Sequence, residues 1–199
     1  MSGQLKKRLA LIASLLVVGA AIAVPIILKS SDVVLPGSAI EHPDYSAVTL
    51  AVREPLVGDV VMFELDVPDI KDGKTIRVTE IAASPDHDLT LLGARIYHRK
   101  DFGGSALLGW QSSNGDDLDP HQRPSTDLVG ATLSGGRNPD NFLMFEFAIC
   151  ATGNYGVDEI DIQYESASHM YEQTLKVDFK VRDALPGVPC ETRLSSPAS

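Results

Sequence analysis

The stretch QTLKVDFKVR, residues 173–182, alternates without a break. Leu175, Val177, Phe179 and Val181 share one parity, and Lys176, Asp178, Lys180 and Arg182 share the other. Period two sets one face of a strand on a core and the other in water, the pattern of a half-buried antiparallel strand. Upstream, FLMFEFAICA (142–151) is apolar almost throughout and is expected to be a central strand.

Five further runs extend the pattern. SAVTLAVR (46–53), GDVVMFELDV (58–67), TIRVTEIA (75–82), LTLLGARIYH (89–98) and YGVDEIDIQYE (155–165) read as strands. Pro68 ends the second, and Asp72-Gly73 marks a turn before the third. The gap SASHMYE closes the last two strands as a hairpin. Many short strands at close spacing imply an all-β fold over residues 46–183. The expected form is an antiparallel, immunoglobulin-like β-sandwich, with a jelly roll as the related alternative. Tyr155, just after Gly153-Asn154, is similar in setting to the Y-x-C corners of immunoglobulin domains. Cys150 stands on the wrong side of it, so the resemblance is to the architecture and not to a family.

Cys150 and Cys190 are the two cysteines. In FLMFEFAIC, Leu143, Phe145, Phe147 and Ile149 share a face, and Cys150 has the opposite parity. With the aromatic face inward, Cys150 points away from the core and cannot form the buried inter-sheet bridge of an antibody domain. Outside the cytoplasm the pair is expected to form a disulfide that pins the Pro-rich tail (184–199) across the outside of the sheet. Closing the loop of about 40 residues between the two cysteines stabilises by ~4 kcal/mol on the chain-entropy model.

The location follows from the N-terminal segment. Leu9 to Leu28 carries no charge, and its length as a helix is about 30 Å, enough to cross a hydrocarbon core. Lys6, Lys7 and Arg8 precede it and only Lys29 follows closely, which orients residues 1–8 to the cytoplasm. The competing reading is a signal peptide cleaved after Ala21-Ile22-Ala23. Cleavage there would leave the apolar stub Val24–Leu28 on the mature chain, which favours a retained anchor. Either way the rest of the chain is exported. Residues 29–45 read as a stalk, since Ser, Pro, Gly and Asp punctuate them without a period. Four of the 17 basic residues precede Asp32 and no acid does. The exported part therefore holds 13 basic against 27 acidic residues, a formal charge of −14. That disfavours nucleic acid and anionic lipid as partners and is compatible with cation binding.

The longest irregular segment is 99–127, and loops of that length tend to be functional or mobile. It holds Trp110, within a short apolar piece that reads as an edge strand, and His121. Both are candidates for a binding loop, although capping the core is the simpler role for Trp110. Asp116, Asp117 and Asp119 are candidate calcium ligands, because clustered carboxylates in a turn supply several of the oxygens Ca²⁺ takes. The sequence is not an EF-hand loop, and a solvated acidic turn is the simpler reading. No two histidines have ligand spacing on one element, and no G-x-S-x-G is present. SGGRNPDN (134–141) reads as a wide connection.

No cofactor and no catalytic constellation is legible. The expected function is a membrane-anchored, non-catalytic domain that binds a protein, envelope polymer or small ligand at the cell surface. The alternatives are an accessory subunit of a membrane complex, using both the helix and the domain, and an exported hydrolase with a site assembled in space.

Overall fold

The computed structural model describes residues 33–46, 49–85, 88–103, 109–112, 119–136, 138–188 and 190. The expected cytoplasmic segment 1–8 and membrane helix 9–28 lie outside them. Among the described residues no helix is long and apolar enough to cross a membrane.

The chain is all-β, and its two sheets lie in a sandwich-like arrangement. In order the strands are β1 (Leu35–Pro36), β2 (Leu50–Arg53), β3 (Val60–Asp66), β4 (Ile70–Pro85), β5 (Leu89–His98), β6 (Gly109–Gln111), β7 (Ser125–Asp127), β8 (Thr132–Gly136), β9 (Asn141–Ile149), β10 (Gly153–Ser166) and β11 (His169–Ala184). One sheet runs β1-β11-β10-β4-β8, with β2 also on β11. The other runs β6-β3-β9-β5-β7, which puts the apolar run of β9 at the centre as its composition implies. Pairing is antiparallel except at one edge. There β1 and β2 run parallel to successive stretches of β11, with Leu35 opposite Tyr171 and Leu50 opposite Phe179.

The inward faces follow the parity of the sequence. Leu175, Val177, Phe179 and Val181 meet Leu143, Phe145, Phe147 and Ile149 in one core. Phe63 of β3 bridges the sheets, its ring 4.6 Å from that of Phe179 and 5.4 Å from that of Phe145. The hairpin between β10 and β11 is tighter than expected. The strands pair as far as Ser166 and His169, leaving only Ala167 and Ser168, both left-handed at φ 49° and 66°. Two positive φ values in a two-residue connection are those of a type I′ turn, whose twist matches that of the strands.

The stalk expected over 29–45 is corrected from Leu35 onward. Ala39 and Ile40 are buried in the core, Ile40 bridges to Ile70, and Asp44 bridges to Lys176. Gln173 holds the Ile40 backbone on both sides, accepting from its amide at 3.1 Å and donating to its carbonyl at 2.8 Å. Lack of a period hid this segment, because one short strand and single bridges leave no alternation to read. Part of SGGRNPDN is likewise a strand, β8, whose pairing with β4 is irregular and whose residues are mostly exposed.

Cys150 and Cys190 form the disulfide, with Cα atoms 5.2 Å apart. Cys150 follows the last residue of β9 and lies outside the core. The tail before Cys190 runs beside the turn into β3. A Cβ on Gly187 would stand 2.1 Å from the Val57 carbonyl oxygen, and one on Gly58 would stand 2.3 Å from that of Val188. Only glycine allows that approach.

The outer faces of the two sheets differ. On β10 and β11 the outward residues are polar and pair across strands: Thr174 donates to Asp161 at 2.6 Å, and Lys180 meets Asp158 at 2.6 Å. On β3, β5 and β9 the outward residues include Met62, Tyr97, Phe142 and Met144, which with Phe102 form a second buried cluster. The described parts of the long loop cover it. The loop leaves β5, reaches β6 beyond β3 at the far edge, and returns to β7 beside β5. Phe102, in a 3-10 turn at Arg99–Phe102, stands edge-on to Tyr97 and Phe142, and Arg123 lies 5.9 Å from the centre of the Phe102 ring.

Candidate functional site

The cover includes buried charge. Glu64 and Glu146 point outward from β3 and β9 and are almost fully buried. Arg99 donates to Glu64 at 2.7 Å and to Asp66 at 2.5 Å, bonds the Pro139 carbonyl at 3.1 Å, and lies over the Phe142 ring. Arg95 stands 3.3 Å from Glu146, an ion pair without the alignment of a hydrogen bond. Each buried carboxylate thus faces a guanidinium, which offsets the cost of taking it out of water. At the root of β3, buried Asp59 accepts from the Leu56 amide, Gln111 and Ser112, tying β6 to its neighbour.

Arg99 also lines a cleft of about 640 Å³ at one end of the sandwich. Its walls come from 41–45 before β2, from 66–69 at the end of β3 and the connection to β4, and from Asn138 and Pro139 before β9. Two x-Pro-Asp turns, His42-Pro43-Asp44 and Val67-Pro68-Asp69, set three of the walls' polar groups. The chain is held there by the Glu41 amide donating to the Asp69 carbonyl at 2.7 Å and the Tyr45 amide donating to that of Lys176 at 2.7 Å. His42 adopts a left-handed φ of 50°. Among the described lining residues, Glu41, Asp44, Asp66 and Asp69 set four carboxylates against the guanidinium of Arg99. Two hydrogen bonds donated by Ser46, from its hydroxyl and from its backbone amide, hold the Asp44 carboxylate below the usual range. Burial, with Asp66 and Asp69 nearby, pushes the Tyr45 phenol up to about 12. Among the described residues the lining contains no Ser, Thr or Cys, and its carboxylates offer acceptors for a positively charged group. A second hollow, lined by His98, Lys100, Asn138, Asp140 and Asn141, adjoins it through Asn138.

Of the residues singled out in the sequence, those that the structure describes, Asp119 and His121, do not line this cleft. Asp119 caps a 3-10 turn at Pro120–Gln122, accepting from the His121 amide at 2.9 Å and from Gln122 at 3.2 Å. His121 is exposed on that turn. Asp116 and Asp117 lie outside the described residues. Trp110 is in the edge strand β6, its backbone opposite Met62, and its side chain lies outside what is described. Among the described residues no group of three or more His, Cys, Asp or Glu is placed to hold a metal ion. The cleft was missed because its walls are far apart in the chain. The one local signal was the repeated Pro-Asp turn.

No protein-family model matches the chain, and no curated protein matches it. Among solved structures it has a partial likeness to the VesB protease of Vibrio cholerae, at 12% identity and a TM-score of 0.33. The match covers 70% of this chain and 30% of that one. A likeness this distant carries no argument about fold or activity.

Proposed function

We propose that the chain is a single-pass membrane protein, anchored by residues 9–28, whose exported immunoglobulin-like domain is a non-catalytic binding module for a positively charged ligand. The acidic cleft carries this reading. Its four carboxylates come from two segments, 41–45 and 66–69, and among the described lining residues Arg99 is the one guanidinium that faces them. Such a site favours an amine or guanidinium group, as on a basic segment of a surface protein or an amino-bearing envelope polymer.

Two features support the immunoglobulin-like assignment. The order β3-β9-β5 on one sheet and β2-β11-β10-β4 on the other follows the B-E-D and A-G-F-C order of such domains, with A on the second sheet. Tyr155, near the start of β10, donates from its hydroxyl to the Ala151 carbonyl at 2.7 Å, as the tyrosine of an immunoglobulin corner does. Val157 stands where an antibody domain has its second cysteine.

Calorimetric titration of the full-length protein with a lysine-rich peptide tests the binding. Affinity should fall steeply with salt. It should drop about tenfold in a Glu41→Gln/Asp69→Asn variant, the loss of two charge pairs worth roughly 0.7 kcal/mol each. Equal binding of a glutamate-rich peptide, or no change in the variant, would remove the cleft from the reading. Fractionation of a C-terminally tagged chain tests the anchor: a soluble product shorter by about 23 residues, the length of a cleaved secretory segment, would replace it with a cleaved signal.

A further inference from the structure

We infer that the outer edge of β8 pairs with the same edge of a second copy of this chain, making one antiparallel sheet across a two-fold axis. β8 is bonded to β4 on one side, and no described element pairs with the other. About half of its amides and carbonyls therefore point away from the sheet. Thr132, Ser134, Gly135 and Gly136 are exposed along it.

Edge strands usually carry a guard against such pairing: a proline, a charge or extreme shortness. The others here do. β1 holds Pro36, β2 ends on Arg53, β7 follows Pro124 and ends on Asp127, and β6 has three residues. β8 itself holds no proline and no charge, and the first charged residue after it is Arg137.

Charge selects the partner. Beyond Lys29 the chain carries −14, so two copies repel wherever acidic faces meet. Antiparallel pairing centred on Leu133 sets Thr132 opposite Ser134 and Ala131 opposite Gly135, neutral against neutral. Exposed Val129 adds an apolar group just before the strand. The contact is small. A five-residue edge buries well under the ~1,000 Å² of a stable interface, so pairing is weak and set by local density. That density rests on the membrane anchor proposed above, which confines copies to one surface.

A Ser134→Cys variant of the full-length tagged chain tests the edge in native membranes. The two native cysteines are bonded to each other, so the new thiol reports only its own neighbours. A short bis-maleimide should link Ser134→Cys chains into dimers about fivefold more than it links Lys176→Cys chains, whose thiol is exposed on β11. Adding Thr132→Lys should cut the linked fraction about fivefold with the melting temperature unchanged, since a guard charge enters the seam twice. Equal linking at 134 and 176, insensitivity to Thr132→Lys, or linking to a protein of different size would overturn the pairing. Should the chain prove soluble and shortened, the anchor fails. The same crosslinking on the concentrated soluble protein then decides the edge by itself.

Discussion

The sheet built on β10 and β11 turns one face to water, whereas β9, the central strand of the other sheet, turns neither. The difference is written into the strands. Along β11 buried residues alternate with exposed or half-exposed ones, and cross-strand pairs such as Thr174 with Asp161 populate the outer face. Along β9 every residue from Phe142 to Ile149 is buried. A strand covered on both faces loses its alternation, so an apolar run of this length requires something to lie over it. Here the cover is the long loop, with Phe102 on Tyr97 and Phe142. A segment that composition marks as a functional loop thus does structural work over its described length. The cleft proposed for binding lies instead at the end of the sandwich, where Arg99 links the two regions through Glu64 beneath the cover and Asp66 in the cleft.

The comparison breaks most visibly by hollowing the covered face. Phe142→Ala removes a ring stacked on Tyr97 and capped by Arg99, and should cost about 3–5 kcal/mol in denaturant unfolding. Lys176→Ala on the solvated face should change stability by less than ~0.5 kcal/mol. Equal effects would mean that the loop does not pack on β9.

Charge sharpens the same contrast. Glu64→Ala leaves Arg99 without its most buried partner and should cost roughly 2–4 kcal/mol, with much of the loss recovered when Arg99→Met is added to Glu64→Met. Lys180→Ala removes pairs with Asp158 and Asp178 at the surface and should cost under about 1 kcal/mol. A double-mutant cycle measures both. A coupling for Glu64 and Arg99 no larger than that for Lys180 and Asp158 would place the two faces in the same dielectric.

Two tyrosines probe the interior under alkali. Burial is the leading cause that raises Tyr45 and Tyr155 from 10.0 to about 12, with nearby carboxylates adding to it. A phenol kept neutral by the fold contributes stability that is complete below pH 10 and is lost as pH rises from there to about 12. Tyr155→Phe should therefore flatten part of the decline measured by unfolding between pH 10 and 12. At neutral pH the same change should cost about 1–2 kcal/mol, because the Ala151 carbonyl loses its donor. An unchanged alkaline profile would show that Tyr155 titrates as it does in the unfolded chain.

The fold was legible where burial imposes a period and obscure where it does not. β5 runs from Leu89 to His98 as its alternation implies, and the parity of Cys150 placed its disulfide outside the core. β7 and β8 are short and exposed at edges, so no face of theirs is selected for hydrophobicity and no pattern marks them. Residues 35–45 join the domain through one short strand, single bridges and the side chain of Gln173, none of which leaves a period. The cleft escaped for a related reason. Glu41, Asp66 and Asp69 are ordinary acidic turn residues taken singly, and only topology brings them together.

The smallest effect concerns the turn that lets the solvated sheet do without a cover. Where the covered sheet spends residues 99–124 between β5 and β7, β10 and β11 are joined by two residues. Both Ala167 and Ser168 hold positive φ, a conformation in which their Cβ atoms crowd the backbone. Asn at the first place and Gly at the second adopt these angles with less strain. Ala167→Asn/Ser168→Gly should therefore raise stability by about 0.5–1 kcal/mol with the hairpin register of Ser166 opposite His169 retained. The gain is limited because glycine also widens the unfolded ensemble, which returns part of the relieved strain. Hydrogen exchange at Ser166 and His169 reads the outcome directly. Slower exchange at both amides confirms a turn held under strain, and faster exchange would show that Ala167 and Ser168 are already at ease there.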